Sequence, residues 1–171
     1  YQKVLTWLRL HIRVLLNRSS DPSEDLTETY RFWLAATIIG RHSALRISDI
    51  ATLQWSSICD NRLIVHTGKK NTRVDIEITP EMHEVIDKIP KINKKWCWPD
   101  KAIIAMDTSK RSQLPVQFAR ILKRAGVSNH HFHELRSEKL TELHEGGKPI
   151  ESVAAFAGHK STSTTKTYII P

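Results

Sequence analysis

The sequence has little of what marks secreted or membrane proteins. Only two of its 171 residues are cysteines, Cys59 and Cys97, and they lie far apart with no CxxC pairing. This argues against a disulfide framework and fits a reducing cell interior. No apolar run approaches the roughly 20 residues that span a bilayer, and the basic, cleavable pattern of a secretory signal is absent. We therefore expect one soluble domain with its own core.

Acidic residues are also scarce relative to basic ones. The chain has 26 Lys and Arg against 18 Asp and Glu, a net charge of +8 and a pI near 9.7. Such a balance suits nucleic acid, an anionic membrane or simple solubility. Residues 109–139 carry seven Lys or Arg and two Glu, a net charge of 7 − 2 = +5. This concentration favours a nucleic-acid partner.

Periodicity predicts a mostly helical α+β domain with a small antiparallel sheet. Pro80 begins a helix at a position that suits proline, and Ser161 or Thr162 caps the last helix. The predicted helices are 2–16, 27–39 ending at Gly40, 44–55, 80–89, 113–125, 133 to Gly146–Gly147, 149–158 and a last one carrying Tyr168. The predicted strands are 62–66 and 73–78, which form a hairpin, and 102–106.

The histidine-rich segment "HHFHELRSEKLTELH" raises the question of a metal site. A zincin needs HExxH, with two histidines one turn apart on a helix. In this sequence His133 and Glu134 are followed by Arg136 and Ser137, so the second histidine ligand is missing. The side chain of Arg136 would also place a positive charge beside a bound cation. We predict no functional metal.

Several other polar residues do not look like core filler. Each alone has an ordinary explanation: an arginine at a helix start is usually on the surface, a lysine in a turn is usually solvated, and a histidine after a glycine usually packs or caps. Together they suit cleavage of a phosphodiester without metal, which needs guanidiniums on the phosphate, a nucleophile, a proton acceptor and a proton donor. The set is Arg46, Lys69 or Lys70, His133, Arg136, His159 and Tyr168.

Tyr168 is the best candidate for the nucleophile. It follows His159 by nine residues, and at about 100° per residue one straight helix would point the two side chains in opposite directions. Gly158 and the following Ser/Thr run predict two elements instead, with the tyrosine on its own short segment. Tyr30, on an apolar helix, and Tyr1, at the terminus, are poorer candidates.

The order of these motifs resembles the catalytic domain of the tyrosine recombinases, the phage-integrase family. "ALRISDIATLQWSSI" resembles the family's first-arginine box, "HELR" matches its H-x-x-R box, and the spacing of "AGHKSTSTTKTY" matches that of its histidine and tyrosine. The resemblance covers nearly the whole chain. At two positions the chain departs from the family: Ser43-Ala44 stands where Thr-Gly is common, and Ser137 where a second histidine is common.

The resemblance implies a role for each residue. Arg46 and Arg136 would hold the scissile phosphate, with support from His159, and His133 would act as a base or hydrogen-bond partner. Lys69, favoured over Lys70 by its spacing from Arg46, would protonate the departing 5′ oxygen. Tyr168 would attack and form a 3′-phosphotyrosyl link. No metal, ATP or other cofactor is implied.

The resemblance also implies partners and a domain assignment. We read residues 1–171 as the catalytic domain, without the amino-terminal core-binding domain that usually completes the DNA clamp. The implied partners are duplex DNA and, in a full-length protein, further copies that form a tetramer on paired sites. The implied location is the cytoplasm of a prokaryotic or phage-infected cell, at its nucleoid.

Two other classes of function stay open on the sequence. A type IB topoisomerase-like enzyme or telomere resolvase would use the same residues without pairing two sites. A recombinase-derived module that binds DNA without cleaving it would keep the fold, although retention of all the candidate residues argues against this. A metal-dependent nuclease is a more distant alternative.

Overall fold

The computed structural model describes residues 1–17, 24–67, 71–127 and 129–169, with backbone alone for residues 11–17 and 24–27. Lys69 and Lys70, predicted at the hairpin tip, lie outside the described residues.

The described chain is mostly helical, which confirms the predicted fold class. In chain order its α-helices are α1 (Gln2–Asn17), α2 (Glu24–Ser43), α3 (Ile47–Ala51), α4 (Pro80–Ile86), α5 (Pro99–Met106), α6 (Gln113–Arg124), α7 (Phe132–Glu145), α8 (Ile150–Phe156) and α9 (Thr162–Lys166). An antiparallel sheet in the order β1–β2–β3 consists of β1 (Ile58–Cys59), β2 (Arg62–His66) and β3 (Arg73–Glu77).

Helix α2 lies at the centre of the core and packs against α1, α4 and α7. Trp33 on α2 is fully buried, and its ring centroid is 5.2 Å from that of Phe118 and 6.4 Å from that of Phe132. These separations are typical of favourable aromatic pairs. The apolar segment "FWLAATIIG" of α2 is thus explained by neighbours on several sides. None of the described helices is long and apolar enough to cross a membrane.

The prediction that Gly40 ends the second helix is wrong, because α2 continues to Ser43. Gly40 is in the helix interior for a different reason. A Cβ atom built there would lie 2.7 Å from Cζ of Phe132 on α7. The missing side chain therefore allows α2 and α7 to approach each other closely.

The predicted strand 102–106 is also wrong, since these residues belong to α5. Pro99 begins the helix, and Ala102 and Ala105 are buried while Ile103 is 58% exposed. Burial at a spacing of three residues is helical rather than alternating. A short apolar run does not distinguish a buried strand from a helix by periodicity alone.

The third strand is instead β1, which the sequence analysis did not predict. It pairs with β2 through Ile58 opposite Leu63. Asp60 and Asn61 connect the two strands, with φ angles of 47° and 62°. A two-residue hairpin loop with positive φ at both positions matches the right-handed twist of its strands, and Asp and Asn tolerate it well.

The predicted helix 44–55 is shorter than expected. After α3 the backbone pairs with a distant segment: Cys97 donates its N–H to Leu53 O at 2.9 Å, and Trp55 donates to Lys95 O at 3.1 Å. These long-range bonds replace the helical ones. The predicted hairpin 62–66 and 73–78 is confirmed, with strands at Arg62–His66 and Arg73–Glu77.

We expect Gly40→Ala to destabilise the fold by about 1–3 kcal/mol, because overpacking against Phe132 outweighs the better helix propensity of alanine. Urea unfolding of the wild type and the variant measures this. In a Phe132→Leu background, which removes the clashing ring atoms, the same substitution should cost less. A Gly40→Ala protein more stable than the wild type would contradict the close approach of α2 and α7.

Candidate active site

Four of the predicted residues come together at the amino-terminal end of α7. His133 and Arg136 lie three residues apart in the first turns of this helix and share a face. His159 follows the end of α8, and Tyr168 follows α9. The predicted separation of the histidine and the tyrosine onto two elements is therefore confirmed.

The guanidinium of Arg136 is buried and held by backbone carbonyls. Arg136 is 2% exposed. Its Nη1 donates to Ala44 O, and its Nη2 donates to Ala157 O at 2.7 Å and to His159 Nε2 at 2.6 Å. Burial, followed by the nearby charge of Arg46, lowers the pKa of Arg136 to about 10. The side chain therefore remains a cation at neutral pH, with a fixed orientation.

The turn before Arg46 adopts the backbone conformation that glycine favours. Ala44 has a φ of 54°, in the left-handed region that costs an alanine on the order of 1 kcal/mol. Ser43 steadies the turn, since its Oγ donates to Ile39 O at 2.6 Å and accepts from Leu45 N at 3.2 Å. The departure from Thr-Gly thus keeps a turn whose carbonyl reaches Arg136.

The hydrogen bonds of His159 determine its tautomer. A guanidinium has only donors, so His159 Nε2 must accept from Arg136. The ring proton is then on Nδ1, which donates to Thr165 Oγ1 at 2.9 Å. His159 is 8% exposed, and it is neutral in this arrangement.

Gly158 brings His159 against the sheet. Its φ is 64°, and an added Cβ would lie 2.9 Å from Val74 Cγ2 on β3. At the end of this hairpin Thr67 N donates to Thr72 O at 3.0 Å, and Asn71 N donates to Thr67 O at 2.8 Å. The histidine segment therefore packs on the strand that leads away from the hairpin tip. Lys69, within that tip, stays a prediction.

Tyr168 lies within hydrogen-bonding distance of His133 and beside two other site residues. Its hydroxyl is 2.8 Å from His133 Nε2. Its ring centroid lies 5.2 Å from that of His159 and 5.5 Å from Cζ of Arg136. The ring also packs on the small apolar cluster of Ala44, Leu140, Val153 and Ala157.

The electrostatics around His133 favour its neutral form. Partial burial, then the charge of Arg136, then that of Arg46, lower the pKa of His133. A neutral imidazole has one acceptor nitrogen. When its ring proton is on Nδ1, a neutral His133 accepts from the Tyr168 hydroxyl at Nε2. The arrangement can thus remove a proton from a phenol.

Arg46 lies at the start of α3, with extended backbone at φ −74° and ψ 153°. Within the described part of the chain its guanidinium has no hydrogen-bond or ion-pair partner. Arg46 and Arg111 together line two adjacent open clefts, one of about 710 Å³ and one of about 310 Å³. Sequence reasoning noted Arg111 only as one of the bases in 109–139, and its position makes it a further candidate for phosphate contact.

Glu134 has a structural role instead of the role of a zincin glutamate. Its Oε1 accepts from the backbone N–H of His131 at 3.0 Å, which caps α7. Among the described residues, no group of three or more His, Cys, Asp or Glu side chains is arranged to hold a metal ion.

Tyr30, which the sequence marks as a poorer candidate for the nucleophile, lies in the core. It is 7% exposed, and its hydroxyl accepts from Arg124 at 3.0 Å.

The sequence profile described as the phage integrase family matches residues 21–170. The chain belongs to the phage integrase family. It is 24% identical to the integrase of Salmonella phage P22 over 179 aligned residues, which cover 97% of this chain and 44% of that protein. A tyrosine recombinase XerC-like protein of Caldanaerobacter subterraneus subsp. tengcongensis is 37% identical over 68 residues, 38% of this chain and 17% of that protein.

Solved structures of family members share the fold. A lambda integrase dimer bound to a COC′ core site superposes with a TM-score of 0.64 at 21% identity, covering 99% of this chain and 56% of that one. XerA recombinase superposes with a TM-score of 0.67 at 16% identity, covering 86% of this chain and 56% of that one. The chain spans less than half the length of the P22 integrase that it matches.

We expect the pKa of His133 to lie below its usual value of about 6.5, for the reasons given above. An NMR titration of the histidine Cε1–H signals, with His133→Asn for assignment, measures it. With this lowered pKa, the unfolded chain binds the proton of His133 more readily than the folded chain does. The contribution of His133 to the free energy of unfolding is therefore fully present above about pH 6.5. It declines as the pH falls to the folded-state pKa.

Two variants test the cause of this shift. Arg46→Ala removes one of the two nearby charges and should raise the pKa of His133. Arg62→Ala is the matched control. Arg62 pairs with Asp75 on the sheet, so this substitution should leave the pKa of His133 unchanged. A His133 pKa at or above the usual value, or one that ignores Arg46→Ala, would contradict this electrostatic account.

Proposed function

We propose that this chain is the catalytic domain of a site-specific DNA recombinase that cleaves and rejoins strands through a 3′-phosphotyrosyl intermediate. The observation that carries the proposal is the 2.8 Å contact between Tyr168 Oη and His133 Nε2 beside the buried Arg136. A phenol has a pKa near ~10 and attacks well only when a neighbour accepts its proton. His133 is that neighbour.

The chemistry is a transesterification. Tyr168 Oη gives its proton to His133 and attacks the phosphorus, and the bond from phosphorus to the 5′ oxygen breaks. Lys69 gives a proton to the departing oxygen, which leaves as a 5′ hydroxyl. A phosphodiester is replaced by a phosphotyrosyl ester, so attack by a second strand's 5′ hydroxyl reverses the reaction without ATP.

Arg136 and Arg46 are assigned to the non-bridging oxygens. Guanidiniums whose orientation is fixed in advance stabilise charge that develops in the transition state. The three bonds of Arg136 to Ala44, Ala157 and His159 occupy three of its N–H groups. Its Nε–H is buried and has no hydrogen bond among the described residues. His159 holds Arg136 in place.

Duplex DNA is the proposed substrate. The stretch 109–139 carries a net charge of +5, and Arg111 in it lines the clefts beside Arg46. Contacts of lysine and arginine to phosphates supply most of the affinity for DNA and make it sensitive to salt. Structures of relatives described as a dimer on a core site and a tetramer on a Holliday junction support assembly of a full-length protein on paired DNA sites.

The central prediction is a covalent adduct between protein and DNA. On a nicked duplex substrate, from which the cleaved 5′ end diffuses away, the full-length protein should form an adduct in EDTA that survives a denaturing gel. Tyr168→Phe should abolish it, because no nucleophile remains. Tyr30→Phe, which alters a core tyrosine, is the matched control and should still form the adduct.

The other possible outcomes identify the alternatives. No adduct from a folded protein that binds DNA would indicate a binding module without cleavage activity. An adduct together with relaxation of plasmids that lack paired sites would indicate a topoisomerase-like enzyme. Loss of cleavage in EDTA would indicate a metal-dependent nuclease.

The lysine assignment makes a separate prediction. Lys69→Ala should slow cleavage of an ordinary substrate by about 10²–10⁴-fold, the usual contribution of a general acid. Replacing the leaving 5′ oxygen by sulfur should restore most of the rate, because a thiolate leaves without a proton. Lys70→Ala is the matched control and should cleave both substrates normally; rescue of Lys70→Ala instead would move the assignment by one residue.

A further inference from the structure

Thr165 is the one buried polar residue of α9, and its position links two site residues. Thr165 is 0% exposed. Its hydroxyl accepts from His159 Nδ1 at 2.9 Å, and its backbone carbonyl accepts from the N–H of Tyr168 at 2.9 Å. A single residue therefore contacts the histidine through its side chain and the nucleophile's backbone through its main chain.

The direction of the hydrogen bonds gives this link a chemical consequence. Arg136 is a donor only, so His159 presents an unprotonated Nε2 to it. That requires the proton on Nδ1, and the Thr165 oxygen is the acceptor that stabilises it there. The other tautomer would point Nε2–H at the guanidinium, which has no acceptor, and such a mismatch is costly in a buried site.

We propose that Thr165 is a positioning residue: its hydroxyl accepts the Nδ1–H of His159 in the tautomer that Arg136 requires, and it thereby fixes α9, and with it Tyr168, against Arg136. The catalytic part of this inference rests on the proposed function. Thr165 contacts no reacting atom, and it acts through His159 and the backbone of Tyr168. The sequence shows only a run of Ser and Thr here, since the other hydroxyls of the run are at least partly exposed.

The tautomer is tested first, without any activity. Long-range ¹⁵N–¹H spectra of the histidine rings distinguish the two neutral tautomers, with the His159 signals assigned from His159→Gln. The wild type should show Nδ1–H at His159. Thr165→Val, which has the same shape without the hydroxyl, should keep the Nδ1–H tautomer that Arg136 requires. It should nevertheless move the Nδ1–H resonance upfield and speed its exchange with water, because the proton loses its acceptor, whereas Thr165→Ser should retain the wild-type signal. Thr164→Val is the matched control, because the structure gives the Thr164 hydroxyl no hydrogen bond among the described residues, and it should change nothing.

Cleavage of the nicked substrate under single-turnover conditions is the second test, in the full-length protein. Thr165→Val should slow adduct formation about tenfold, as expected for loss of one buried hydrogen bond. Its affinity for the same DNA should stay within about twofold, because phosphate contacts elsewhere dominate binding. Thr165→Ser should recover most of the rate, and Thr164→Val should match the wild type. An unchanged histidine and amide NMR fingerprint outside α8 and α9 shows that each variant is folded.

The outcomes separate this inference from the proposed function. Absence of an adduct from the wild type overturns the proposed function, while the tautomer spectra still decide whether Thr165 orients His159. Wild-type spectra with Nε2–H at His159, or spectra unaffected by Thr165→Val, overturn the positioning role. A loss in Thr165→Ser without a loss in Thr165→Val also overturns it, because serine lacks the methyl group that valine retains, and this result indicates packing by the methyl group. If Thr165→Val fails to fold, the Thr165→Ser variant and the tautomer of the wild type test the positioning role instead.

Discussion

The burial of the Arg136 guanidinium is the constraint on which the arrangement of the site depends. A buried cation costs several kcal/mol unless its donors are satisfied. Ala44 and Ala157 supply carbonyl oxygens from two turns that are distant in sequence, and His159 supplies a ring nitrogen. These acceptors join the end of α2, the first turns of α7 and the segment after α8. Tyr168, the proposed nucleophile, follows α9, the next helix along the chain.

Small residues permit this convergence where elements meet. Gly40 lets α2 approach Phe132 on α7, and Gly158 lets the histidine segment approach Val74 on β3. Ala44 adopts a left-handed φ of 54° so that its carbonyl meets Arg136. Local conformational cost is accepted at such positions when the surrounding contacts determine the geometry. At Ala44 the backbone therefore adopts the conformation that lets its carbonyl accept from the side chain of Arg136.

The same positive charges have two effects on the proposed chemistry. Arg136 and Arg46 are suited to hold a phosphate, and they also lower the pKa of His133. A neutral His133 is able to accept the proton of Tyr168, from which it is 2.8 Å distant. The positive charges that would attract a phosphate therefore also favour the neutral form of His133, the proposed base. Family membership and fold rest on independent comparisons, and the roles of individual residues rest on this geometry.

Periodicity and spacing, which are local properties, were readable from the sequence. The pattern "HELR" placed His133 and Arg136 on one helical face, and the nine-residue interval placed His159 and Tyr168 on separate elements. Periodicity failed where local signals are ambiguous, as at the apolar run 102–106, which is a helix rather than a strand. Lys69 remains a prediction from the sequence.

The sequence by itself determined the fold class, the family resemblance and the candidate residues, because residue type and spacing are written in it directly. Only the tertiary structure decided which carbonyls meet Arg136, which tautomer of His159 fits its neighbours, and that Thr165 and Arg111 lie beside the candidate residues. The contacts of Arg136 and the clefts lined by Arg111 join segments far apart in the chain, and the bond between Thr165 and His159 joins two separate elements. Their geometry depends on how α2, α7, α8 and the sheet pack together, and no local pattern contains that information.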